Sequence, residues 1–306
     1  MSDGAIARPK RGASVLSGVW RFMKGSPLNF ASVVIIVTAI LIAAVATLGH
    51  QLDIQVTPWD PYAPNLQSRM EAPSLLHPLG TDHLGRDTFS RVVEGSRVTL
   101  QVALLVLAVA SLVGLTAGVV AGYFGGLVDE ILMRLTDLFL AFPFIILAAA
   151  ISIALGGNIA TTTIALATVF WPWYARLARG VVMEARELDF VKAAEALGAT
   201  RTRMMVRTLL PVVLPYTLVQ MTLDAGFVML SAAGLAFLGL GAAPPTPEWG
   251  TMIFDALTYQ PDAWWLIAGP GGALAITALG FNLMGDGLRD WLDPRSGGAA
   301  MSDTAG

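Results

Sequence analysis

The amino-acid sequence predicts an all-α integral membrane protein with six transmembrane helices. Hydrophobic residues make up 55% of the 306 residues and charged residues only 13%, whereas about 25% of residues are charged in a typical soluble domain. A soluble protein with so few charges could not cover its own surface, so the chain belongs in a bilayer. Apolar segments of membrane-spanning length and a one-sided distribution of Lys and Arg support the same fold class.

Six apolar segments match the thickness of a membrane. A hydrocarbon core about 30 Å thick takes roughly 20 apolar residues in helical form. In the fourth segment, Pro172 and two tryptophans lie near one end, where aromatic side chains suit the membrane interface. The six predicted spans are residues 30–49, 98–122, 138–155, 159–178, 211–240 and 263–284.

The basic residues predict the orientation of these spans. Most of the 19 Lys and Arg residues lie in the N-terminal tail, the 123–137 loop, the 175–210 region and the C-terminal tail. The loops on the other side contain only Arg69, Arg86, Arg91 and Arg97. Because cytoplasmic loops carry the excess of Lys and Arg, we expect both termini in the cytoplasm.

These assignments divide the chain into five regions. The external region is rich in Pro, Asp and His, so we expect it to be irregular up to about Asp82 and helical from Arg86. The predicted regions are a cytoplasmic tail (1–28), the first transmembrane helix (29–50), an extracytoplasmic segment (51–97), a core of five transmembrane helices that includes the 181–210 loop (98–288), and a second cytoplasmic tail (289–306).

The 181–210 loop predicts two short helices separated by a break. Asp189 is a suitable N-cap, and Gly198 ends the first helix where a positive φ is wanted. Thr200 can cap the second helix, and Pro211 opens the fifth span. Four residues of the first helix share an apolar face, with Lys192 and Glu195 off it; they are Phe190, Ala193, Ala194 and Leu197. This pattern alone fits a docking element for a soluble partner and equally fits a hairpin beside lipid headgroups.

The residues of this loop resemble the coupling motif of ATP-binding cassette importer permeases. That motif reads Glu-Ala-Ala, three residues, Gly, nine residues, Ile, any residue, Leu-Pro. Here Lys192-Ala-Ala, Gly198 and Thr208-Leu-Leu-Pro211 keep its spacing. Lys192 stands where the family has Glu, which puts any polar contact of that Glu in doubt, and Thr208 replaces Ile. The resemblance assigns ATPase coupling to Asp189, Phe190, Val191, Lys192, Ala193, Ala194, Glu195, Leu197 and Gly198.

Four further blocks resemble the C-type permease subunits of dipeptide/oligopeptide importers. Together they cover residues from about 75 to 295. The blocks are His77-Pro-Leu-Gly-Thr-Asp-His-Leu-Gly-Arg-Asp87, Phe237-Leu-Gly-Leu-Gly241, Pro244-Pro-Thr-Pro-Glu-Trp-Gly250 and Asn282-Leu-Met-Gly-Asp-Gly-Leu-Arg-Asp290 followed by Asp293-Pro294. The resemblance implies the type I importer permease fold, in the bacterial inner (plasma) membrane.

The same resemblance implies the partners. The chain would pair with a homologous B-type permease, bind two ATPase subunits that carry ATP and Mg, and receive dipeptides or oligopeptides from an extracytoplasmic binding protein. Relatives in the family carry glutathione, nickel or opines, so the substrate stays open. The sequence contains no P-loop and no Cys, so we expect a non-enzymatic subunit without a cofactor of its own. Its small net charge of −3 gives no reason to expect nucleic acid.

The sequence leaves two alternatives to weigh: a secondary transporter that needs no ATPase, and a metal site. A secondary transporter typically shows repeated halves with interrupted helices, and no repeat is visible. His77, Asp82, His83 and Asp87 could ligate a divalent ion, but their side chains equally suit capping and local ion pairs, which we favour.

Three polar residues in or near the spans are candidates for the translocation path. Asp224 lies in the middle of the fifth span, where an ionisable group costs at least about 2.5–3.5 kcal/mol and should face the bundle interior or a water-filled cavity. It could meet the amino group of a peptide, or it could form a structural hydrogen bond. Gln220 and Asn158 are weaker candidates of the same kind.

Overall fold

The computed structural model describes Trp20 and residues 22–292, and within this part of the chain it is helical without strands. The predicted tails lie largely outside these residues. The principal helices are α1 (Pro27–Leu52), α2 (Thr88–Phe124), α3 (Gly126–Leu140), α4 (Phe144–Ala154), α5 (Ile159–Ala185), α6 (Asp189–Ala196), α7 (Arg201–Leu240), α8 (Trp249–Ala256) and α9 (Trp265–Leu292). The all-α membrane fold is confirmed.

The predicted count of six spans is not confirmed exactly. Four of the described helices, α1, α2, α7 and α9, are long and apolar enough to cross a membrane, and the bent pair of α3 and α4 adds at most a fifth. Helix α5 contains 27 residues, but Thr161, Thr162 and Thr163 and the Trp171–Tyr174 stretch dilute its apolar character. Because α5 packs inside the bundle, the protein rather than lipid covers much of its surface.

The third predicted span, 138–155, is wrong as a single helix. Helices α3 and α4 meet at a 90° bend, and Pro143 is the last residue before α4. A proline has no N–H to continue the hydrogen-bond ladder, and its ring clashes with the preceding turn. The 123–137 loop is likewise a helix for most of its length, since α3 begins at Gly126.

Helix α7 begins well before the predicted fifth span. Thr200 caps it, as predicted, by accepting a hydrogen bond from the Arg203 backbone at 3.4 Å. The helix then passes through a π-helical turn, Met204–Leu209, in which the Leu210 N–H bonds the Met205 carbonyl. Pro211 therefore lies inside a continuous helix instead of opening it. The π turn, which is wider than an α-helical turn, lies just before Pro211, which has no backbone N–H to donate.

Close contact between α2 and α5 forms the centre of the bundle. Gly114, Gly118 and Gly122 lie one turn apart on α2 and face α5. A Cβ atom at Gly118 would approach the Ala178 Cβ to 2.7 Å, and one at Gly122 would approach the Val182 Cβ to 2.9 Å. The backbones can meet this closely only because these positions lack side chains, which is how small residues promote packing between membrane helices.

Ion pairs attach α3 to the end of α5 that leads into α6. Arg179 makes a two-pronged contact with the Asp129 carboxylate, with nitrogen–oxygen distances of 2.5 and 2.6 Å. Arg176 bonds Asp137 at 2.6 Å, and Arg186 bonds the Gly122 carbonyl of α2 at 3.1 Å. Planar guanidinium groups suit such paired contacts, so α2, α3 and α5 are joined at the α6 end of the bundle.

We predict that Gly118→Ala destabilises the protein. Its added methyl would lie 2.7 Å from the Ala178 Cβ and 2.9 Å from the Arg179 nitrogen, and overpacking of this kind costs about 1–3 kcal/mol. Thermal unfolding of the detergent-solubilised protein measures the effect. Gly180→Ala on α5 is the matched control, because a Cβ there meets nothing within 4 Å. Equal Tm values for the two variants would contradict the close-packed interface.

Candidate functional site

Helix α6 begins and ends abruptly. Leu188 precedes it in an extended conformation, with φ −75° and ψ 142°. Asp189 is the first helical residue and makes no side-chain cap, so its predicted N-cap role is wrong; its charge instead suits the positive end of the helix dipole. Gly198 has a φ of +77° and donates its N–H to the Glu195 carbonyl at 2.9 Å. The predicted glycine break is therefore confirmed.

One side of α6 is anchored to the bundle. Val191 is only 3% exposed, and Ala194 is partly buried against the same cluster. Helix α6 packs mainly on the π turn at the start of α7, and Val191 shares one buried apolar cluster with side chains from α2, α5 and α7. They are Val119 of α2; Ala178, Val182 and Ala185 of α5; and Met204, Leu209 and Val213 of α7.

The other side of α6 presents apolar side chains to the exterior. Phe190 is 49% exposed and Leu197 is 88% exposed, and Ala193 is exposed with them. The predicted apolar face is therefore partly wrong, because Ala194 turns toward the bundle and Val191 is the main anchor. The remaining members form a small apolar surface, which we call the α6 face: Phe190, Ala193 and Leu197.

Lys192, the residue that departs from the importer motif, makes a local ion pair. Its ammonium lies 3.0 Å from the Glu187 carboxylate, and both side chains are largely exposed. Exposed pairs of this kind contribute about 0–1 kcal/mol, so Lys192 is not required to hold α6 in place. Glu195 is also exposed.

At the opposite end of the bundle, the 53–87 loop and the 241–264 loop pack together as a cap. Asp82 accepts hydrogen bonds from the Arg86 backbone and side chain, the latter at 2.7 Å, and its second neighbour is the Arg91 guanidinium at 3.6 Å. Asp87 caps α2 through Ser90. The prediction of capping and local ion pairing in this segment is confirmed.

The candidate metal ligands are divided among separate contacts. His77 bonds Asp87 at 2.9 Å, whereas His83 stacks on Tyr259 with ring centroids 5.3 Å apart. Asp255 of α8 lies near His83, Arg91 and Arg86. Burial raises the pKa of the Asp255 carboxyl, and the charges of these three neighbours lower it. In the described part of the chain, no three His, Asp or Glu residues lie in an arrangement that could hold a metal.

Two distant motifs of the sequence meet in this cap. The Trp249 indole donates to the Val92 carbonyl at 2.9 Å, and the Trp265 indole donates to the Thr81 carbonyl at 3.2 Å. Glu248 is buried and caps α8 through the backbone of Gly250 at 2.7 Å. The Pro244–Gly250 block is therefore joined to the first turns of α2, and the His77–Asp87 block to the start of α9.

Two of the three candidate path residues form one polar cluster. The Gln220 side chain donates to the Asp224 carboxylate at 2.9 Å. The Tyr174 side chain of α5 is fully buried, and its hydroxyl interacts electrostatically with Asp224. The Tyr174 hydroxyl is not positioned to hydrogen-bond the Asp224 carboxylate, and it has no hydrogen-bond partner among the residues that the structure covers.

Asn158 is not part of that cluster. Its side chain accepts hydrogen bonds from the Ala160 and Thr161 backbone at 3.0 and 3.1 Å and caps α5. The Thr161 hydroxyl closes the capping box by accepting from the Asn158 backbone. At 1.5 Å per residue, Asn158 lies about 24 Å along α5 from Tyr174.

Comparison with known proteins identifies the family. The family model for binding-protein-dependent transport system inner membrane components matches residues 114–297, well over half of the chain. The chain belongs to this family. The match includes α6, α7 and the glycines of the α2–α5 contact, so the permease has the family's pattern throughout its central bundle.

Curated relatives extend the likeness over nearly the whole permease. The probable D,D-dipeptide transport system permease protein of Escherichia coli is 42% identical over 284 residues, which cover 92% of this chain and 91% of the relative. The dipeptide transport system permease protein of Alkalihalophilus pseudofirmus is 41% identical, with coverage of 89% and 88%. The nickel transport system permease protein of Escherichia coli is 45% identical over 78% of this chain and 86% of its own.

Sequence reasoning missed several structural residues of the permease. It did not single out Tyr174, Val191 as the anchor, or the glycines of α2. The spacing of Gly114, Gly118 and Gly122 was a usable signal, because small residues at every fourth position mark close helix contacts in membranes. The position of Tyr174 beside Asp224 had no such signal, since it depends on how α5 and α7 are rotated.

We predict that Asp82→Asn destabilises the cap of the permease. The substitution leaves the buried Arg86 and Arg91 without their carboxylate partner, and breaking a buried pair costs about 3–5 kcal/mol. Limited proteolysis of the 53–87 loop measures the effect. Glu130→Gln is the control, because its pair with Arg134 is exposed with a 3.9 Å separation and should change stability by less than about 1 kcal/mol. Unchanged proteolysis of Asp82→Asn would contradict this role.

Proposed function

We propose that this chain is the membrane-spanning permease subunit of an ATP-binding cassette importer for dipeptides and oligopeptides. It works with a homologous permease, the two enclosing the translocation path. Two ATPase subunits, which bind ATP and Mg, act from the cytoplasm. A substrate-binding protein delivers the peptide from the other side of the bacterial inner membrane. The chain itself catalyses no reaction.

The α6 face is the observation that carries this proposal. Phe190 and Leu197 are exposed apolar residues on a helix that Val191 fixes to the bundle. Apolar side chains displayed on a rigid support suit a protein partner, because little conformational entropy is lost when the partner binds. The Lys192–Ala194, Gly198 and Leu210–Pro211 positions of the importer motif lie on and beside this same helix.

Movement of α6 provides the mechanism of coupling. Val191 lies in one buried cluster with residues of α5 and α7, so a partner that moves α6 disturbs the packing between these two helices. Packed interiors switch between discrete arrangements instead of deforming continuously. Closure of the ATPases would thus change the bundle between inward-facing and outward-facing states. The energy comes from the ATPases, because the sequence itself has no P-loop.

The orientation follows from this assignment. The α6 end of the bundle, with Arg176, Arg179 and Arg186, faces the cytoplasm, and the termini lie on that side. The cap faces outward and meets the binding protein. Its dense hydrogen bonding makes it a firm platform for that contact.

Peptides are the substrate class that the comparisons favour. Relatives from Escherichia coli, Alkalihalophilus pseudofirmus and Pseudomonas aeruginosa are named for D,D-dipeptide, dipeptide or di/tripeptide transport. Nickel is the second candidate, because the nickel transport system permease is similar to the same degree.

We predict that Phe190→Ala combined with Leu197→Ala releases the ATPase subunits. The few central residues that dominate an interface each cost more than about 1 kcal/mol when truncated. If Phe190 and Leu197 are such residues, the affinity falls at least tenfold, and their exposure leaves folding intact. The measurement is copurification of ATPase with the tagged full-length chain from its host membrane. Leu66→Ala in the cap is the control, since Leu66 is also exposed. Full ATPase retention by the double variant, or none with the unmodified chain, would contradict the proposal.

We predict that the complete importer takes up dipeptides in preference to Ni²⁺. Uptake into proteoliposomes that contain ATP would be measured with a radiolabelled dipeptide and with ⁶³Ni²⁺, each with the copurifying binding protein. Peptide uptake that requires ATP supports the assignment. Uptake of nickel alone would move the chain to the second candidate, and peptide uptake without ATP would contradict the importer class.

A further inference from the structure

An acidic side chain lies at membrane depth on α7. Asp224 is near the middle of the 40-residue helix Arg201–Leu240 and is only partly buried. Ionisable residues in transmembrane segments are costly, and they usually mark a substrate or ion pathway. The cap and α6 do not use Asp224, and it makes no contact with the ion pairs of α3 and α5.

The surroundings of Asp224 hold it in one orientation. Gln220 lies one turn earlier and donates its side-chain N–H to the carboxylate at 2.9 Å. Tyr174 of α5 is fully buried, and its hydroxyl interacts electrostatically with the carboxyl without hydrogen-bonding it. Because Gln220 uses its NH₂ group in this contact, its carbonyl oxygen remains as an acceptor beside the carboxylate oxygens.

Of this cluster, Gln220 reaches a groove of about 650 Å³ between α5, α7 and α9, and Asp224 lies behind it, bonded to its side-chain amide. Gln220 lines the groove, together with Pro215 and Leu223 of α7 and Leu177 of α5. Arg289 of α9 lines it as well and lies near the end of its helix. The groove therefore combines an acceptor-rich region at Gln220 with a basic side chain at Arg289.

We propose that Asp224 and Gln220 bind the protonated amino terminus of a peptide during its passage through the membrane. This inference rests on the proposed peptide importer and specifies the site within it. An ammonium group has three donors and a positive charge, which match a carboxylate and an amide oxygen. Tyr174 is a positioning residue, because it is buried outside the groove and acts on the carboxylate only through its electrostatic interaction.

The arrangement also matches the other end of such a substrate. A peptide with free termini carries a carboxylate, and Arg289 supplies a guanidinium on the same groove. Guanidinium groups bind carboxylates with two parallel hydrogen bonds. Acetylation of the peptide amine removes the charge that Asp224 recognises, so the amine can be tested separately from the rest of the substrate.

Uptake by the reconstituted importer tests the site. A dipeptide and its N-acetylated form are supplied at concentrations that saturate the copurifying binding protein, and uptake per ATP hydrolysed is measured. With the unmodified permease we expect at least a tenfold preference for the free amine. Asp224→Asn should bring this ratio close to one, Asp224→Glu should retain it in part, and Tyr174→Phe should reduce it less than Asp224→Asn does.

Asp137→Asn is the matched control, because it makes the same chemical change at an exposed carboxylate on α3. It should leave the preference unchanged. A preference that persists in Asp224→Asn, or equal loss of uptake for both peptides in that variant, overturns the site while leaving the proposed function standing. Uptake of neither peptide by the unmodified importer, or uptake of Ni²⁺ alone, overturns the peptide function and this site with it.

Discussion

The contact between α2 and α5 is the constraint on which the rest of the structure depends. Gly114, Gly118 and Gly122 let the two backbones approach until a single added carbon would clash. In a bilayer no hydrophobic force drives helices together, so close van der Waals packing of this kind takes its place. With α5 held against α2, the polar and aromatic residues that lower its hydropathy are tolerated inside the bundle.

That packing connects the two functional ends of the molecule. On one side, α5 continues almost directly into α6, and the Asp129–Arg179 pair secures α3 to the same end. On the other side, α2 extends into the cap, where Arg91 donates to the Pro61 and Pro245 carbonyls, one in each outer loop. Between them, Tyr174 places α5 beside Asp224 of α7. A rigid α2–α5 unit thus reaches the outer cap, the polar cluster and α6.

Much of this arrangement could be predicted from the sequence. Composition and the positions of Lys and Arg predicted a helical membrane protein, and the residues around Gly198 predicted α6 and its end. The division of the third span at Pro143 and the π turn before Pro211 were not predicted, because a proline in an apolar segment can either bend a helix or be accommodated in it. Asp224 was recognised from its depth in the membrane alone. That Tyr174 lies beside it depends on the relative rotation of α5 and α7, which could not be predicted from a single sequence.

The π turn at Met204–Leu209 has a mechanical consequence for α7. Such a turn holds one residue more than an α-helical turn, and this surplus lies between the end attached to α6 and the part that carries Asp224. If the extra residue of the π turn moved along α7, the segment between its old and new positions would rotate by about 100° and advance by about 1.5 Å, which is the step for one residue. Migration of this turn along α7 would therefore reorient side chains within the membrane without unwinding the helix.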